Sequence, residues 1–129
     1  MTDTLITGTG RFRITSLRSL HDEFEGLRKG TEGIGHHPGI AVYPVLWSSP
    51  RDGSPATPKE AFVHFAAGSR YPVLDRHDHS GEILIVVDGE LDDGVRIHRP
   101  GTLIYSPRGS SHRPGSRQGC LVYIFFPDL

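Results

Sequence analysis

A chain of 129 residues with a formal net charge of −1, 22% charged and 36% hydrophobic, has the size and composition of one folded domain. Near-neutral charge with scattered basic residues excludes the electrostatic footprint of a nucleic-acid or anionic-membrane binder, and no apolar run approaches the ~20 residues that span a bilayer. The single cysteine, Cys120, excludes an internal disulfide and fits a reducing compartment.

In chain order, Met1-Thr2-Asp3-Thr4 lacks the basic region and apolar core of a signal peptide, so a cytoplasmic, soluble protein is expected. The first ten residues are small and polar and read as a tail or an edge strand. Arg11 to Ile14 alternates and reads as a short strand. Ser19 to Leu27 reads as the one helix. Ser19 would cap it, Asp22 and Glu23 would fall in its first turn, and Leu20, Phe24 and Leu27 recur at helical spacing. Lys29 to Gly39 reads as a glycine-rich loop carrying His36-His37-Pro38. Ile40 to Trp47 reads as a strand that Pro44 confines to an edge or a bulge. Ser48 to Pro58 reads as a loop, with Arg51-Asp52-Gly53 as turn residues.

From Lys59 the pattern is more regular. Ala61 to Ala66 reads as a strand, and Tyr71 to Leu74 as a short extended piece because Pro72 forbids helix. Glu82 to Val87 reads as an apolar strand buried on both faces. Leu91 to His98 reads as a polar hairpin through Asp92-Asp93-Gly94, Thr102 to Tyr105 as a strand, and Cys120 to Phe126 as the strand that closes the sheet. Sixteen glycines and ten prolines suit a many-stranded sandwich or barrel.

The chemistry concentrates at His77, His79 and Glu82, with His112 further along. Two histidines at i, i+2 project from the same face of a strand, and each imidazole can offer a nitrogen to a divalent metal. Glu82 adds an oxygen, and a meander through two turns can return His112 to face the pair. His64, on a strand face with Phe62 and Ala66, reads as a core or rim histidine, with support of the metal ligands as the alternative. Tyr105 and Tyr123 lie on strands expected to line the barrel, either packed with the hydroxyl at the rim or touching substrate. Arg70 and Arg76 flank the motif, as solvated charges or as holders of an anionic substrate. His36-His37 reads as exposed, with a substrate lid as the alternative; His21 and His98 read as surface residues. Trp47 and Phe125 are expected in the core, and Cys120 as a small buried hydrophobe.

Together these residues resemble the two cupin motifs. The second is met by Gly101, Pro107, Gly109 and His112, with Ser116 where asparagine is usual. The first is met by His77-x-His79, Glu82 and Gly89, although two residues separate His79 from Glu82 and Gly68 precedes His77 by more than the usual spacing. In finer detail the segment from Gly39 to Phe126 is similar to the cupin domain of ChrR-type anti-sigma factors, a subgroup that includes small dioxygenases cleaving diketones and hydroxyacetophenones.

The resemblance implies an all-β, double-stranded β-helix (a cupin jelly roll) with one short N-terminal helix: an arm over 1–38 and a barrel over 39–129. It implies one divalent metal held by His77, His79, Glu82 and His112, or by the three histidines alone. Iron(II) is favoured, with zinc, manganese or nickel as alternatives. It further implies a mononuclear iron(II) dioxygenase, or a related lyase or isomerase, acting on a diketone- or hydroxyketone-like chelating substrate. The alternative is a non-catalytic zinc-binding sensor of the ChrR type. The 38 residues before the barrel are too few for a sigma-binding domain, which favours the enzyme. By the same analogy the chain is expected to form homodimers through Leu5 to Ile14.

Overall fold

The computed structural model describes residues 3–7, 10–14, 16–48 and 55–129. Met1, Thr2, Gly8, Thr9 and the expected Arg51-Asp52-Gly53 turn lie outside the described residues. The chain is built of antiparallel strands with one helix. Strands β1 (Asp3–Thr7) and β2 (Gly10–Ile14) pair as a hairpin, and α1 (Leu17–Gly30) follows. The helix is longer than its apolar spacing suggests. Its N-cap is Ser16, whose Oγ accepts a hydrogen bond from Ser19 N at 3.1 Å, so Asp22 and Glu23 fall beyond the first turn.

β3 (Ile34–His37) occupies part of the expected glycine-rich loop and pairs with β4 (Ile40–Trp47). β4 pairs in turn with β5 (Pro58–Phe65), and its register shifts after Pro44, where the missing N–H interrupts the ladder. The short strands β6 (Ser69–Arg70) and β7 (Asp75–Arg76) bracket Tyr71 to Leu74, which bends at Pro72-Val73 and joins no sheet. Next come β8 (Glu82–Gly89), the hairpin of β9 (Leu91–Asp92) and β10 (Ile97–His98), then β11 (Leu103–Ser106). Finally β12 (Ser111–His112), β13 (Gly115–Ser116) and β14 (Cys120–Phe125) complete the order.

Six strands form the main sheet in the order β11-β8-β14-β5-β4-β3; a second sheet runs β10-β9-β13-β6, and β12 pairs with β7. β14 does not close the sheet. It sits inside it, hydrogen bonded to both β8 and β5. Alternation along these strands sorts the core into two layers. Ala61, Val63, Phe65, Leu84, Val86, Val122 and Ile124 pack together on one face. Phe62, Val87 and Leu121 pack on the other against Leu20 and Phe24 of α1. The helix is therefore a lid on the outer face of the main sheet, and the inner face is left to line a cavity. Trp47, expected in the core, is 51% exposed and stands at that cavity's rim, at the end of β4 where pairing is irregular.

Candidate metal centre

The pairing of β7 with β12 sets the site. It places His112 directly opposite Asp75, so two residues 37 positions apart in sequence become neighbours. His77 follows Asp75 by two and returns to the same side of the chain. Nε2 of His112 and Oδ2 of Asp75 are 3.0 Å apart, Nε2 of His77 lies 4.0 Å from the same oxygen, and the two imidazole rings are 4.9 Å apart. One ligand atom from each of Asp75, His77 and His112 falls within 4.8 Å of the others.

The electrostatics show what this cluster lacks. His77 is 5% exposed, and its buried Nε2 has no hydrogen-bond partner among the described residues. A polar nitrogen left so costs about 1–3 kcal/mol. Burial holds the His77 imidazole below its ordinary pKa, Asp75 opposing and His112 reinforcing, which keeps the ring neutral and its lone pair available. Burial alone would push Asp75 up, but the hydrogen bond from His112 and the charges of the neighbouring histidines hold it below the usual carboxylate range. For His112 burial acts downward, and the bond to Asp75 with the charges of Glu82 and Asp75 raises it overall. Two imidazole nitrogens and one carboxylate, one nitrogen orphaned, fit a divalent cation. This donor set is the two-histidine, one-carboxylate arrangement that leaves coordination positions open.

The four residues singled out from sequence are distributed unequally. His77 and His112 come together. Glu82, the first residue of β8, is 5% exposed and lines the cavity beside the cluster. Burial, then the Asp75 charge, pushes its carboxyl up to about 7 against the pull of His112. His79 lines the same cavity from an exposed bend past the end of β7, where strand alternation no longer applies. Neither His79 nor Glu82 belongs to the close group. Asp75 does, and the sequence reading passed over it. Its signal was the run Asp75-x-His77-x-His79, in which an acid stands two residues before the histidine pair.

The cavity measures about 1000 Å³. Its wall is largely apolar (Val42, Val63, Phe65, Leu84, Val122 and Ile124), and His36 and Tyr71 line it too. Tyr105, Tyr123, Arg70 and His64 do not. Tyr105 is 61% exposed on the edge strand β11. Tyr123 faces the helix layer and bonds Glu60. Arg70 is held by Asp92 at 2.6 Å and by the Arg113 carbonyl at 2.7 Å. His64 stacks on Phe24 with ring centroids 6.2 Å apart.

Sheets of this order around an inner cavity, with Asp75, His77 and His112 grouped on one side of it, have the form of a cupin. The chain belongs to the ChrR cupin-like domain family, whose pattern residues 36–128 match. The solved structures it resembles share that fold. An RmlC-like cupin from Shewanella frigidimarina superposes with a TM-score of 0.60 at 17% identity, covering 78% of this chain and 86% of its own. The DMSP lyase DddQ from Ruegeria pomeroyi gives 0.63 at 17%, covering 88% of this chain and 64%, less than two thirds, of the lyase. KdgF from Halomonas sp. gives 0.57 at 20%, covering 77% and 90%. The chain matches no curated protein in sequence.

Proposed function

We propose that this protein is a metal-dependent cupin enzyme, in which Asp75, His77 and His112 hold one divalent ion and a small chelating molecule completes its coordination. The observation that carries this reading is the buried Nε2 of His77, without a hydrogen-bond partner among the described residues, beside Asp75 and His112. Three protein ligands are one fewer than a closed structural zinc site uses. The cavity of about 1000 Å³ above them suits a small organic substrate. Iron(II) is the favoured ion, since this donor set is the one non-haem iron oxygenases use. A bound ion would polarise substrate oxygens as a Lewis acid. The chain's own share is to fix the ligands, exclude water with the apolar wall and orient the substrate. The favoured reaction is dioxygenation of a diketone- or hydroxyketone-like substrate, with a lyase or isomerase reaction next.

A second reading, a zinc-binding sensor, is favoured by one feature: His79 and Glu82 line the same cavity and could fill the open positions. Metal analysis of protein purified without chelators, followed by oxygen uptake with β-diketones and hydroxyaryl ketones, separates the two. Stoichiometric iron with uptake is expected. Tightly held zinc inert to every added chelating ketone would sink the enzyme reading. Homodimerisation belongs to the same proposal: among the described residues β1 and β2 pair only with each other, and an isolated two-stranded hairpin is marginal in water. Light scattering should report two chains per particle, and one chain would refute it.

A further inference from the structure

Tyr71 places a phenol on the cavity wall outside the Asp75, His77 and His112 group. It is 9% exposed, and its backbone is bonded on both sides: its N–H donates to the Pro114 carbonyl at 2.9 Å, and its own carbonyl accepts from Arg113 Nε at 2.7 Å. The ring is wedged between His37, at 4.6 Å between centroids, His36 at 5.3 Å and Phe65 at 6.2 Å. Such a side chain cannot swing. Its hydroxyl makes no hydrogen bond among the described residues and is not sealed off as the His77 nitrogen is, so it opens to the cavity that the residue lines. Burial first, then the charges of Asp75 and Glu82, raise its pKa, so the phenol stays protonated and is a donor. Both carboxylates and Tyr71 line the same cavity as His112.

We propose that the Tyr71 hydroxyl donates a hydrogen bond to an oxygen of a small chelator seated at Asp75, His77 and His112. The inference rests on the metal-dependent reading above and adds the group that recognises the substrate. The largely apolar wall around Tyr71 suits a chelator with an apolar body.

The test compares cobalt(II)-loaded wild type with cobalt(II)-loaded Tyr71→Phe, using two probes followed by visible absorption. Acetylacetone offers two oxygens, both able to accept. Pyridine binds a metal through its one nitrogen and has no second polar atom. The substitution should weaken acetylacetone roughly 3- to 10-fold, the range of one neutral hydrogen bond, and leave pyridine within about twofold. Unchanged acetylacetone affinity, or equal weakening of both probes, would overturn the role of Tyr71 while leaving the metal-dependent reading intact. Wild type that takes up no cobalt overturns both.

Discussion

At the scale of single residues, the metal reading divides five neighbours into two kinds. Asp75→Ala, His77→Ala and His112→Ala each remove a group from the close cluster, and each should lower metal affinity by more than the roughly 10–100-fold that losing an outer partner costs. Glu82→Gln and His79→Ala remove groups that face the cavity from outside it, and their effect should be smaller. Competition against a fluorescent chelator measures all five; a larger loss from His79→Ala than from Asp75→Ala would reverse the assignment. Core residues give a plainer expectation. Phe62 is fully buried between Phe24 and Tyr123, so Phe62→Ala should cost about 3–5 kcal/mol in urea unfolding.

At the scale of elements, turns carry the checkable strain. Gly89 ends β8 at a φ of 74°, and an added Cβ would sit 2.1 Å from the Gly119 carbonyl oxygen. Backbone cannot yield there, so Gly89→Ala should cost at least the roughly 1–3 kcal/mol of a strained left-handed residue, read as a lower urea midpoint. In the β9–β10 turn, burial tends to raise the Asp93 carboxyl. The hydrogen bond from His98 at 2.6 Å and those from Arg96 N and Val95 N prevail and bring it down to about 2. A depressed carboxyl stabilises the fold above its ordinary pKa of 3.8 and loses that contribution as pH falls toward 2. Asp93→Asn should therefore be less stable than wild type by about 1 kcal/mol at pH 7, with the gap shrinking between pH 4 and 2. A gap independent of pH would contradict this.

The same scale explains what the sequence made legible. Long apolar strands such as β5, β8 and β14 announce themselves, because an apolar run bounded by turn residues suffices. Asp75 did not, because β7 is two residues long and its orientation is decided by pairing with β12 far along the chain. Tyr71 escaped for a related reason: its short extended segment joins no sheet, and only the aromatic neighbours brought by β3 and β5 fix its ring. Tyr105 and Tyr123 were attractive as strand residues, yet strand parity sends Tyr123 to the helix side and the edge position leaves Tyr105 outside.

At the scale of the whole molecule, the fold separates support from chemistry. The helix and the outer sheet face form one apolar layer, and the inner face is free to surround a cavity lined by Asp75 and His112 of the close group. No described helix is long and apolar enough to cross a membrane. The cupin architecture was readable from two ordered motifs, whereas the carboxylate in the cluster was decided by tertiary pairing. The most direct test of the central claim is metal content per chain of wild type and Asp75→Ala after dialysis against a weak chelator. About one ion per chain in wild type and almost none in Asp75→Ala is expected. Full retention by Asp75→Ala would place the metal elsewhere.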